Sequence, residues 1–300
     1  MRGMKLLASG ALLITAFPLL PAAQATAGPV HRTAAHASPM KCSPTKGRKL
    51  IWHGGPVSIS DHVRIVYWGS WWRHHGRRVK SELKHLLGGG LGATRWARTL
   101  TQYCWNGQRP LWPASNLLSS PPVIDTTNKL PAAPTRAQMG TVALWGRGTG
   151  VSAAPIVIIV TPPGSIPVDD TKLHECGEHR AVVFTVNGRK FGEPWIDIPV
   201  GLMEKGKGCF PALHLGLPAM LSIAAGHEWA ETVTDPFPDG SGSHGEAWAT
   251  KGTTAPHQQI ADLCAPHLSP RNVITVKLKA GSFQMQKLWS NAAGKCVSSS

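Results

Sequence analysis

The chain has 300 residues, 31 Lys+Arg against 16 Asp+Glu, and a formal charge of +15. Its 42% hydrophobic content is that of a globular protein and excludes wholesale disorder. Only 16% of residues are charged, while Gly numbers 32 and Pro 25, so turns and loops around a core are expected rather than a coiled coil or a helical array.

The N-terminus reads as a secretory signal peptide spanning residues 1–27. Met1-Arg2-Gly3-Met4-Lys5 supplies the positive segment and an apolar run follows from Leu6 to Ala23. Ala23-Gln24-Ala25 and Ala25-Thr26-Ala27 both fit an A-x-A cleavage pattern. Pro18 and Pro21 near the end of the run argue against a membrane anchor, and no other segment has the ~18 apolar residues that a bilayer span needs. Cleavage would remove two basic residues and no acid, leaving the chain strongly basic. Such a protein is expected either to adhere to anionic polymers such as cell-wall polysaccharide or to spread its charge over a solvated surface. Nucleic acid is not the expected partner of an exported chain.

Six cysteines, Cys42, Cys104, Cys176, Cys209, Cys264 and Cys296, suggest three disulfides in that compartment. None has C-x-x-C spacing, which disfavours a zinc ribbon or a redox pair. The simplest pairing joins neighbours in sequence, 42–104, 176–209 and 264–296, although composition alone permits others.

Residues 28–50 are rich in Ala, Pro, Ser, Lys and Arg without periodicity and read as a flexible leader, so 51–300 is expected to be a single disulfide-braced globular domain. His62 to Trp68 alternates β-branched and aromatic residues and predicts a strand. Val79 to Tyr103 has helical apolar spacing, split into two helices by Gly88-Gly89-Gly90. The proline-rich stretch 106–135 predicts a long loop with an edge strand at Val123 to Thr126. Ile156-Val157-Ile158-Ile159-Val160 suits a buried central strand. Ala181 to Val186 and Trp195 to Val200 read as two more strands. Leu217 to Thr234 is the clearest helix, ended by Pro236. Val273 to Leu278 and Phe283 to Trp289 predict late strands. This order implies an α/β (α+β) single domain, a mixed sheet with helices.

The long helix carries the chemistry. In Gly226-His227-Glu228-Trp229-Ala230-Glu231, His227 and Glu231 are four apart and project from one helix face, where an imidazole and a carboxylate can share a divalent ion. Glu228 beside them can act as general base on a metal-bound water, the logic of H-E-x-x-H peptidases with Glu replacing the second His. Zinc accepts a carboxylate ligand, while calcium is the oxygen-loving alternative. A third ligand must come from Asp235, Asp239, His244, Glu246 or Asp262, with Glu246 and Asp262 the best placed by sequence. A second copy of the string, His174-Glu175-Cys176-Gly177-Glu178, holds Gly and a cysteine, so its side chains are not expected to converge. No G-x-S-x-G elbow or P-loop is present, and Gly146-Arg147-Gly148-Thr149-Gly150 reads as a loop. Trp68, Trp71 and Trp72 beside Arg73-His74-His75-Gly76-Arg77-Arg78 would stack on sugars if exposed, but such a strand end is more often core plus solvated charge.

Three segments carry a resemblance: Leu50-Ile51-Trp52-His53-Gly54-Gly55-Pro56-Val57, Val63-Arg64-Ile65-Val66-Tyr67-Trp68-Gly69 and Trp96-Ala97-Arg98-Thr99-Leu100-Thr101-Gln102-Tyr103. With Cys176-Gly177-Glu178-His179, similar to a C-G-x-H element, and Thr232-Val233-Thr234-Asp235-Pro236-Phe237, the chain resembles the secreted EXORDIUM / phosphate-induced protein family over about half of the expected mature chain. The plant members, associated with growth in the apoplast, lack the histidine and glutamates of the long helix. Bacterial secreted relatives look closer, with H-E-x-x-E, T-D-P and a later E-I-G-D-x-C element, which reads Gln259-Ile260-Ala261-Asp262-Leu263-Cys264 here. If that glutamate is a third ligand, as in gluzincin peptidases, Gln259 is a poor replacement, and either the site is degenerate or Asp262 or Glu246 takes over. Gln286-Lys287-Leu288-Trp289-Ser290-Asn291 resembles the bacterial ending and implies the 264–296 pairing.

Two functions follow as expectations. One is a secreted metal-dependent hydrolase of zincin-like layout cleaving peptide bonds through metal-activated water. The other is a non-catalytic extracellular protein binding an anionic wall polymer or glycan.

Overall fold

The apolar run Ile156–Thr161 (β4), with all six residues buried, becomes the central strand of a five-stranded sheet ordered β3–β2–β4–β6–β5. The other strands are Val63–Trp68 (β2), Val123–Asp125 (β3), Glu178–Val186 (β5) and Arg189–Pro199 (β6). Strands β3, β2, β4 and β6 run parallel, and β5 pairs antiparallel with β6 at the sheet edge. The computed structural model describes residues 49–58, 62–105, 116–148, 155–173, 176–186, 188–204, 215–238, 245–252, 258–265 and 269–299. The expected signal peptide, the expected leader up to residue 48, Cys42 and Cys209 lie outside them. All described residues fall within one structural unit.

Successive residues of a strand point to opposite faces, and here both faces are covered. Ile65, Tyr67, Ile158, Val160, Ile196 and Ile198 pack with Arg77–Gly88 (α1) and Leu217–Thr234 (α6), whereas Val66, Trp68, Val157, Ile159 and Trp195 pack under Arg136–Arg147 (α3). The result is a mixed α/β fold with a mixed sheet between helical layers.

Helix α6 has the predicted boundaries, Leu217–Thr234. It is buried nearly all round because the hairpin Val273–Leu278 (β8) and Gly281–Gln286 (β9) covers its other side. The Met285 side chain packs directly on the helix there: a Cβ on Gly226 would stand 2.2 Å from Met285 Cε. Ser222 Oγ donates to the Gln284 carbonyl at 2.8 Å and ties helix to hairpin. The short strands Leu50–Trp52 (β1) and Trp248–Thr250 (β7) pair antiparallel, and Leu288–Ser290 (β10) pairs with Lys295–Val297 (β11). Cys264 and Cys296 are bridged. Cys104 and Cys176 are disulfide-bonded too, but the expected 42–104 and 176–209 pairings fall partly outside the described residues.

Several expectations are corrected. The second half of Val79–Tyr103 is not one helix but a short α turn, Arg95–Arg98 (α2), between 3-10 turns, because the glycine break is followed by Thr94, whose side chain caps a new start at Ala97 N. Helix α3 was not anticipated, and it takes in Gly146 and Arg147, which were read as loop. Its start is a capping box, Thr135 with Gln138, a signal present in the sequence. Short helices Val168–Leu173 (α4) and Val200–Glu204 (α5) were also not anticipated. The tryptophans are chiefly braces: Trp72 is fully buried, Trp96 Nε1 donates to the Gln286 carbonyl at 2.7 Å, and Trp248 Nε1 donates to the Cys104 carbonyl at 3.1 Å. No helix among the described residues is long and apolar enough to cross a membrane.

Candidate metal centre

The i, i+4 pair on α6 is brought together as the spacing predicts. His227 Nε2 lies 3.3 Å from Glu231 Oε2 and 3.5 Å from Asp262 Oδ1, and the three can hold one metal ion. Zinc bonds of ~2.0–2.1 Å in a tetrahedron put neighbouring donors ~3.3–3.5 Å apart, so both spacings fit without rearrangement. Asp262 opens a 3-10 turn, Asp262–Cys264, that the 264–296 disulfide anchors. That turn also holds Glu231, whose Oε1 accepts from Ala261 N at 3.2 Å and Asp262 N at 3.0 Å. Glu231 is 3% exposed, while the Asp262 side chain is 37% exposed and forms the solvent-facing rim.

The tautomer of His227 is set from β9. Its Nδ1 lies 3.0 Å from Gln286 Oε1, and Gln286 Nε2 donates to the Ala261 carbonyl, which orients the amide with its oxygen toward the imidazole. Nδ1 therefore donates to Gln286, and Nε2 faces Glu231 and Asp262, protonated in the metal-free fold and offering a lone pair once a metal displaces that proton. Such partners fix metal-binding imidazoles.

His179, at the start of β5, was absent from the predicted ligand set. Its Nε2 donates to the Asp235 carbonyl at 3.2 Å, and Nδ1 faces Glu228 Oε2 at 3.3 Å and Glu231 Oε2 at 3.6 Å. His179, Glu228 and Glu231 form a second potential metal-holding group that shares Glu231 with the first. The C-G-x-H element was the available signal, and the structure gives its glycine a reason. A Cβ on Gly177 would stand 2.7 Å from the Asp197 carbonyl oxygen and 3.1 Å from Glu228 Cγ. Only glycine lets β5 start this close to α6.

The other candidates separate. Glu246 does not join the cluster: its Oε2 lies 3.7 Å from His53 Nδ1, and it belongs to none of the metal-holding groups found among the described residues. Asp235 braces the helix end, accepting from Ala247 N at 2.8 Å and from Gln259 Nε2 at 2.6 Å. Gln259 also donates its backbone N–H to Asp262 Oδ2 at 3.0 Å, so it supports the aspartate rather than ligating. Asp239, His244, His174 and Glu175 lie outside the described residues. Glu178, of the second H-E-x-x-E string, is on the α3 side of the sheet, where Arg136 and Arg180 neutralise it beside Asp170 and Asp197.

Electrostatics follow from so many acids around two imidazoles. Burial pulls the His227 imidazolium down, but Glu231, Glu228 and Asp262 outweigh it and hold the group well above the ordinary histidine range. Burial likewise opposes charge on His179, and the Glu228 hydrogen bond with the Glu231 and Asp235 charges raises it. Burial and the Asp262 charge push Glu231 up; Asp262, despite burial, is lowered by its hydrogen bond to His227. A divalent cation would satisfy the same field.

The chain matches no protein-family model, no curated protein and no solved structure.

Proposed function

We propose that this is a secreted, zincin-like metal-dependent hydrolase of peptide bonds, in which His227, Glu231 and Asp262 hold a zinc ion. The observation that carries the reading is the convergence on His227 Nε2, its ring oriented by Gln286, of one oxygen each from Glu231 and Asp262 at 3.3 and 3.5 Å. An imidazole in the donor set favours zinc over calcium, which takes oxygen ligands. Glu228 Oε1, 3.9 Å from His227 Nε2, faces the same point and is the base. It takes a proton as the water oxygen bonds to the peptide carbonyl carbon, then delivers it to the nitrogen as the C–N bond breaks. The free side of β5 supports an extended peptide as substrate: among the described residues β5 pairs only with β6, and His179 lies on it beside the centre. Export rests on the signal-type N-terminus and on the disulfides. The likeness to bacterial EXORDIUM-type proteins belongs to the same reading.

Metal analysis with two variants tests it. About one zinc or more per chain is expected, lost from the His227 site in His227→Ala and retained in Glu228→Gln, the latter inactive on peptides. A metal-free wild type, with unchanged activity in both variants, would overturn it.

A second reading, adhesion to an acidic polysaccharide, has one observation in its favour. A surface cleft of about 440 Å³ is lined by Trp71, Val79 and Leu217 with Arg77 and Arg78. Residues 69–81 contain no acid. Binding that survives moderate salt and is lost in Trp71→Ala would support it; retention abolished by salt alone would reduce it to diffuse charge.

A further inference from the structure

Each of the two imidazoles in the centre has one nitrogen committed and one aimed at carboxylates. His227 Nδ1 donates to Gln286 Oε1, and His179 Nε2 donates to the Asp235 carbonyl, an oxygen that can only accept. The remaining nitrogens, His227 Nε2 and His179 Nδ1, meet only acceptor oxygens: Glu231 Oε2 and Asp262 Oδ1 for the first, Glu228 Oε2 and Glu231 Oε2 for the second. Each of these nitrogens stands 3.3–3.6 Å from two carboxylate oxygens; in the metal-free fold a proton on the nitrogen holds them together, and a divalent cation can take that proton's place at the same point.

There are two such points, and Glu231 Oε2 is common to both. The five donors fall into two triads, His227–Glu231–Asp262 and His179–Glu228–Glu231. Glu228 divides its oxygens between them, Oε2 toward His179 and Oε1 toward His227.

We infer that the centre is dinuclear, a site for two divalent cations bridged by the Glu231 carboxylate, with His179 and Glu228 Oε2 holding the second ion. This rests on the metal-site reading above and extends it. Glu228 Oε1 remains directed at the first position, so the base keeps its role while Oε2 is anchored. Carboxylate-bridged pairs ~3.5–4 Å apart clamp both the attacking and the departing atoms of a hydrolysis.

The purified protein, stripped with chelator, is titrated with Zn²⁺ by calorimetry, and the bound metal is counted after desalting. Two equivalents are expected, falling to one in His179→Ala and to one in Asp262→Ala, with Glu231→Gln losing both. Cobalt(II) in place of zinc should give an exchange-coupled pair by electron paramagnetic resonance in the wild type, and an uncoupled ion in His179→Ala. His179→Gln, whose amide can still donate to the Asp235 carbonyl, guards against misfolding and should also bind one ion. One equivalent in the wild type, or two retained in His179→Ala, overturns the dinuclear centre and leaves the single-ion hydrolase standing. No bound metal overturns both.

Discussion

Gln286 Oε1 accepts from His227 Nδ1 at 3.0 Å, across 59 residues of sequence. The amide is itself 1% exposed, and its backbone carbonyl is held by Trp96 Nε1. Removing a partner that orients an imidazole ligand typically costs about 10–100-fold in metal affinity. Gln286→Leu is therefore expected to weaken zinc binding by about that factor while leaving stoichiometry unchanged at saturation, as read by competition with a chromophoric chelator. Unaltered affinity would mean that the α6 backbone alone positions His227.

The metal-free protein should lose stability as pH rises. His179 and His227 are raised in the fold, so their contribution is fully present below the ordinary histidine value of about 6.5 and drains away as pH climbs through their folded values. Glu231 and Asp235, the latter pushed by burial to about 6, act in the same direction, since their folded forms hold protons that the unfolded chain has released. Zinc should reverse the trend at pH 8 and have little effect at pH 5, where protons compete for the imidazoles. Thermal melts across that range check it; about 2.7 kcal/mol of stabilisation is expected at zinc concentrations 100 times Kd.

Glu193 sits on the opposite face of the sheet, 1% exposed, with Arg147 Nε 3.4 Å from its Oε2. Burial pushes its carboxyl to about 7 against the pull of Arg147, so ionising it above that pH strains the fold. Glu193→Gln keeps the shape and removes the charge. It is expected to gain on the order of 1–3 kcal/mol at pH 8, with the gain vanishing near pH 5, in urea unfolding. A loss at pH 8 would mean that the Arg147 pair outweighs the desolvation.

The Cys264–Cys296 bridge closes 32 residues and anchors the turn that carries Asp262. Cys296→Ala with Cys264→Ala should cost about 3–4 kcal/mol in denaturant unfolding. Zinc affinity should fall with it, because the same turn donates the Ala261 and Asp262 N–H groups to Glu231. Full affinity in that variant would show that the turn is held by Gln259 and Gln286 instead.

Local pattern determined a good deal of this protein. The stretch Leu217–Thr234 and the terminating Pro236 mark α6, the i, i+4 spacing puts His227 and Glu231 on one face, and the apolar run 156–160 is the central strand. These depend only on neighbours a few residues away, and so does the Thr135–Gln138 capping box that announces α3. Which distant side chains meet that helix was decided by tertiary structure. Asp262 rather than Glu246 enters the cluster because the bridged 3-10 turn docks on Glu231, while the chain before β7 takes Glu246 to His53. His179 and Gln286 reach the centre, 49 and 59 residues from their partners, only because the antiparallel edge strand starts against one side of α6 and a hairpin closes the other. Periodicity gives a side chain its direction along its own element. The contact it makes depends on how elements pack, a matter of volumes and buried surface summed over the whole core.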